Sequence, residues 1–175
     1  MKSFVAVWLA GAVCAVAAPA HAALPDAYAP IVVQPSGGPE RAEFDLGPAL
    51  ARARREHKSL YVYLGASDCP FCRKYEAFLR SNATELVPHF AEKYIVVDLR
   101  SALRNSASRL YFRRDGSSLP YVEFLQQIGD VRTRQLVYPS VWLLDGDAKP
   151  LMQMPAGTGT FETVEEQLEI LNLVQ

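Results

Sequence analysis

Cysteine and histidine are both scarce in this chain, and charge of neither sign dominates. Three cysteines and three histidines occur in 175 residues, and His57 and His89 lie far from Cys69 and Cys72 and from each other in sequence, so the second ligand pair of a structural zinc site has no match beside the C-x-x-C. Eighteen basic and 19 acidic side chains leave a formal charge of −1, and no acidic or basic tail is present. That balance excludes nucleic acid and anionic lipid as partners held by electrostatics. A membrane-spanning helix needs about 20 apolar residues, and the apolar run Phe4 to Ala18 has only fifteen. Half of the residues are hydrophobic and 21% are charged, which suits an ordinary buried core and argues against disorder.

What is there begins with a processing signal. Lys2 supplies a positive start, Phe4 to Ala18 the apolar run, and Ala20-His21-Ala22 an A-x-A cleavage site. Residues 1–22 are therefore predicted to be a secretory signal peptide, with an uncleaved anchor as the competing reading. Cys14 follows Val13 rather than a small residue, which argues against lipidation. Cleavage removes Lys2 and Cys14 and leaves 17 basic and 19 acidic side chains with two cysteines, Cys69 and Cys72. Export implies an oxidising compartment, the periplasm, in which a disulfide is sensible. A loop this short constrains the unfolded chain little, so the pair serves chemistry better than stability.

Residues 23–43 hold four prolines and Gly37-Gly38 and read as an extended lead-in with no core of its own. From Phe44 the pattern turns helical, with Asp45 as N-cap and Leu46, Ala49, Leu50 and Ala53 on one face. Leu60 to Leu64 reads as a buried strand, and Gly65 to Asp68 turns the chain into the cysteines. A helix is predicted after Cys69, since Pro70 is tolerated in a first turn, and Phe71, Tyr75, Phe78 and Leu79 recur at helical spacing. Ala83 to Tyr94 is a second helix broken or kinked at Pro88, and Ile95 to Leu99 is a strand. Residues 101–134 are polar and Arg-rich, with a short helix over Tyr121 to Ile128. Val137 to Leu144 and Pro150 to Met154 form strands joined by the turn Asp145-Gly146-Asp147, and Thr160 to Leu173 closes the chain as a helix. The expected architecture is a parallel β-α-β unit, a hairpin and a terminal helix.

Two cysteines with two residues between them at a helix start can close a disulfide or open into a dithiol with little backbone movement. The free amides and dipole of the helix favour a thiolate on the first, Cys69, which makes it the exposed nucleophile. Cys72, one turn deeper, resolves the mixed disulfide. An inert disulfide is the bland alternative. Tyr138-Pro139 opens a good strand with a residue that cannot donate to the ladder, and a cis peptide bond resolves that conflict.

Cys69-Pro70-Phe71-Cys72 after the strand Leu60 to Leu64, followed by Tyr138-Pro139-Ser140-Val141-Trp142, resembles the thioredoxin superfamily over about Phe44 to Leu173. The likeness is to exported bacterial thioredoxin-like and Dsb-type thiol–disulfide oxidoreductases. It implies a thioredoxin-like α/β fold over 44–175, with a central mixed sheet flanked by helices and residues 101–134 inserted before the cis-proline strand. It implies that Cys69 is the nucleophile and Cys72 the resolving thiol. Pro139 is then a cis-proline facing them, and Tyr138 offers backbone groups to a substrate. The disulfide is the only redox group implied, with no metal and no added cofactor. Exported cysteine-containing proteins are the implied partners, together with a membrane redox protein that recycles the pair. Pro70 and Phe71 tune the poise; this dipeptide resembles those of glutaredoxins and Dsb-type oxidants more than the reducing thioredoxin pair. The other class of reading is a binding or accessory module whose insertion grips one partner while the cysteines stay passive.

The chain departs from the family pattern at Tyr63, which occupies the place of a buried carboxylate six residues before the first cysteine. The proton acceptor for Cys72 is therefore unassigned; Asp68 and Glu76 are the nearby candidates, set against the commoner reading of each as a solvated surface carboxylate. Arg100, Arg104, Arg109, Arg113, Arg114, Arg132 and Arg134 are expected to form a solvated face or a docking surface for an acidic partner. Met152 and Met154, alternating on a strand, are expected to pack in the core rather than to bind copper.

Overall fold

The computed structural model describes residues 23–38, 40–127, 135–154, 161 and 163–173. The expected signal peptide, Arg132 and Arg134, and the side chains of Met152 and Met154 lie outside what is described.

Strand β3 (Ser59–Ala66) is buried without interruption from Leu60 onward, as a strand covered on both faces must be. Strand β4 (Tyr94–Ser101) runs parallel to it, with Leu60 opposite Ile95 and Leu64 opposite Leu99. On its other side β7 (Ser140–Leu144) runs antiparallel, with Val62 opposite Trp142. β8 (Pro150–Met154) continues the sheet antiparallel to β7, and β1 (Ile31–Val33) closes the far edge parallel to β4. The sheet order is β1-β4-β3-β7-β8. Helices α1 (Gly47–Glu56), α2 (Pro70–Ser81), α3 (Ala83–Lys93) and α5 (Val164–Leu173) accompany it. The β-α-β unit, antiparallel hairpin and terminal helix follow the sequence pattern, and together they make the thioredoxin-like fold that the resemblance implies. Helix α1 buries Ala49, Leu50 and Ala53 as its spacing demands, and α3 runs unbroken through Pro88.

Two features differ from the sequence reading. The lead-in is woven into the structure: β1 belongs to the central sheet, and Leu24 and Tyr28 are buried in the core. Phe44 and Asp45 are not helical either. They end a strand β2 (Ala42–Asp45) that pairs in parallel with β5 (Leu110–Arg114), itself antiparallel to β6 (Ser117–Pro120). Asp45 still serves the start of α1, because its Oδ1 accepts from the Gly47 amide at 2.9 Å while its Oδ2 holds Arg113 at 2.7 Å.

This second sheet carries the described part of the insertion, with α4 (Tyr121–Gln127) beside it. Phe112 stacks on Phe124 and Phe44 and meets Trp142 of the central sheet edge-on. Truncating such a buried aromatic typically costs about 3–5 kcal/mol, so the insertion is a packed subassembly. Arg109, Arg113 and Arg114 are partly exposed but each has a partner, while Arg104 is exposed as expected. Arg113 pairs with Asp45 and Glu43, Arg109 with Glu40, and Arg114 bonds Ala148 O and Gln127.

Candidate active site

Cys69 sits at the junction of β3 and α2. Its backbone is extended (φ −87°, ψ 117°) and its sulfur caps the helix by accepting from the Cys72 amide at 3.1 Å. Pro70 follows in the first turn, where its missing donor leaves no gap. The Cys69 amide is tied back to Ala66 O, and Asp68 Oδ1 accepts from the Leu103 amide at 2.8 Å, so both sides of the turn are anchored. Both cysteines are thiols in this structure. Phe71 between them is 55% exposed and offers an apolar face beside the pair.

The Tyr138–Pro139 bond is cis. It brings Tyr138 O to 3.8 Å from the Cys69 sulfur, close enough for the thiol to donate to it. The Tyr138 hydroxyl hydrogen-bonds Ser101 Oγ at 2.7 Å, and Ser101 O accepts from the Ser67 amide. The structure thus brings Cys69, Cys72, Tyr138 and Pro139 together from two parts of the chain. Contrary to the expectation of an exposed nucleophile, Cys69 is only 1% exposed, held under the segment that carries Tyr138.

The deeper half of the site chooses between the two carboxylates that the sequence left open, Asp68 and Glu76. Cys72 is fully buried, and loss of water pushes its thiol up to about 12. Beside it stands Tyr63, whose hydroxyl donates to Glu76 Oε1 at 2.8 Å and opposes the rise of the Cys72 thiol. Glu76 is 3% exposed rather than solvated, because α2 turns it onto the face that carries Cys72, four residues earlier. Burial raises its carboxyl above the usual range, while the Tyr63 hydrogen bond opposes the rise. Behind Glu76 lies fully buried Asp98, paired with Arg100 at 2.6 Å. Asp68, in contrast, stays at the surface. Gly65 makes the arrangement possible, since a Cβ there would lie 2.5 Å from Tyr63 Cε1 and 2.9 Å from its oxygen. The i, i+4 relation of Cys72 and Glu76 is the sequence signal that could have found this acid.

No family model and no curated protein matches the chain. Among solved structures it is similar to a thioredoxin-fold protein from Helicobacter pylori, at 19% identity and TM-score 0.43, covering 67% of this chain and 68% of that one. It is also similar to an exposed lipoprotein thioredoxin from Streptococcus pneumoniae strain TIGR4, at 18% identity and TM-score 0.39, covering 71% and 89%. A third similarity is to a reduced thioredoxin pre-protein of Schistosoma mansoni, at 10% identity and TM-score 0.42, covering 76% and 96%.

Proposed function

We propose that this chain is an exported thiol–disulfide oxidoreductase of the periplasm, exchanging disulfides with cysteine-containing exported proteins and recycled by a membrane redox partner. The observation that carries the reading is the asymmetric thiol pair: Cys69 caps a helix beside Tyr138 O, and Cys72 lies in front of a Tyr63–Glu76 couple. In the reducing direction the Cys69 thiolate attacks one sulfur of a substrate disulfide. A mixed disulfide forms and the other substrate sulfur leaves as a thiolate. Tyr138 O accepts a backbone donor of the substrate strand, beside Pro139, and Pro70 and Phe71 form the floor that the substrate meets.

The second step needs a nucleophile that burial disfavours. The Cys72 thiol passes its proton to the Tyr63 oxygen as Tyr63 passes its own to the Glu76 carboxylate. Cys72 sulfur then attacks Cys69 sulfur, forming the Cys69–Cys72 disulfide and releasing the second substrate thiolate, which takes up the proton. Two electrons move from the pair to the substrate; run backwards, the same steps oxidise a dithiol. The cysteine pair is the redox group and no further cofactor takes part.

The test is a redox titration combined with trapping. Cys72→Ser should accumulate mixed disulfides through Cys69 with exported proteins, and the intact pair should titrate as one two-electron couple. Glu76→Gln and Tyr63→Phe should slow the second step by about 10–100-fold while sparing the first. No mixed disulfide with any exported protein would sink the proposal. The near-complete burial of Cys69 favours a second reading, a partner-binding module with passive thiols. Such a module keeps its cellular role when Cys69 and Cys72 are both replaced by Ser.

A further inference from the structure

Two buried carboxylates behind Cys72 share one guanidinium. Glu76 and Asp98 are both withdrawn from water, and Arg100 pairs with Asp98. Ionised, the three carry a net charge of −1, which a buried site does not hold without a counter-charge. The neighbouring donors come from the lead-in. The Ala23 nitrogen donates to the Glu76 carboxylate, and the Leu24 amide donates to Asp98 Oδ2 at 3.0 Å. Asp98 Oδ1 is buried and has no hydrogen-bond partner among the described residues. Around Glu76 the titratable and charged groups are Tyr63 from β3, Cys72 from its own helix, and Asp98 and Arg100 from β4.

Ala23 is also the residue that Ala20-His21-Ala22 leaves at the head of the chain. Hydrolysis of the Ala22–Ala23 peptide releases Ala22 as a carboxylate and leaves the Ala23 nitrogen as an α-amine, which takes up a proton. One N–H without charge becomes three N–H groups with a full positive charge, at the atom already aimed at Glu76. We propose that the α-ammonium of Ala23, created by cleavage after Ala22, is a built-in counter-ion that seats on Glu76 and completes the buried cluster behind Cys72. The inference rests on the export reading above and adds to it that processing sets the charge balance around the acid serving the resolving thiol.

The register carries the argument. A chain starting one residue earlier or later places its ammonium about 3.8 Å along the backbone, away from Glu76. Seated between carboxylates, the ammonium keeps its proton above the ordinary value of about 8 for an α-amine. Its contribution to stability is therefore complete below about pH 8 and is lost as pH rises through the higher folded value.

The experiment uses the exported chain, whose first residue is established by intact mass. Reductive ¹³C-methylation, which keeps the charge, reads the α-amine titration directly and should place its midpoint at about 9 or higher. A precursor with one extra alanine after Ala22 yields a chain with a displaced ammonium. That chain should melt about 3–6 °C lower at pH 7, with the difference closing above pH 10 and vanishing in a Glu76→Gln background. In a Cys69→Ser background the same insertion should also shift the pH profile of Cys72 alkylation. A first residue other than Ala23, an amine midpoint near 8, or an unchanged melting temperature in the Glu76 background each overturns the proposal. Absence of disulfide exchange with an intact Ala23 effect would instead remove the oxidoreductase reading and leave this one standing.

Discussion

Gly65 and Tyr63 show how a single backbone hydrogen can decide a site. Glycine at 65 lets an aromatic ring lie along β3 toward Cys72, so an acid on the following helix can be reached through a phenol. Gly65→Ala forces a contact near 2.5 Å with the ring and should cost about 1–3 kcal/mol in a thermal or urea melt. It should also change the pH profile of Cys72 alkylation. Cys72 supplies a second expectation at this scale. Its folded thiol is raised to about 12 from an unfolded value near 8.5, so the folded reduced protein keeps a proton that the unfolded chain loses. Stability from this group is complete below about pH 8.5 and is lost as pH rises toward 12. Between pH 8.5 and 10 the reduced protein should lose about 2 kcal/mol that Cys72→Ala does not lose, measured by urea unfolding. The cysteines and Tyr138-Pro139 were legible because each breaks a local rule: two thiols in one turn, and a proline opening a strand. Glu76 was not, because a glutamate on a helix reads as solvated unless its i−4 neighbour is known to face inward.

Among the elements, segments with an apolar pattern of their own matched their sequence signals, and the short strands β1 and β2 did not. β3, β4 and α1 to α3 announce themselves by unbroken apolar runs or helical spacing. β1 and β2 have three and four residues, lie among prolines, and pair with strands far along the chain. Nothing local specifies such strands, because their stability comes from partners the sequence does not name. Two arginines of the insertion, Arg109 and Arg113, stay partly exposed yet also pair with Glu40, Glu43 and Asp45, partners that no local pattern names. Phe112 joins both sheets through Phe44, Phe124 and Trp142. Phe112→Ala should therefore cost about 3–5 kcal/mol in equilibrium unfolding, with the loss spread over both sheets in amide hydrogen exchange.

At the scale of the whole molecule, the first described residues and the redox pair belong to one structure. Leu24 reaches Asp98, Tyr28 donates to Leu79 O, and β1 seals the edge beside β4. Deleting residues 23–33 should leave the C-x-x-C turn in place yet destabilise the domain by about 3 kcal/mol or more, since it removes the buried Leu24 and Tyr28 and opens the acid cluster to water. No helix among the described residues is long and apolar enough to cross a membrane.

The pairing of Ile31 with Val97 has a kinetic consequence. Contacts between residues so distant in sequence close a large loop, and their entropic cost delays them relative to the β-α-β unit formed by β3, α2 and β4. The cysteine turn is then assembled while the edge beside Asp98 is still open. Only when the first strand docks does water leave the acid that stands behind Cys72. In refolding from urea, the Cys69–Cys72 turn should gain protection from alkylation in an earlier phase than β1 gains hydrogen-exchange protection, and the later phase should be absent from the chain that lacks residues 23–33.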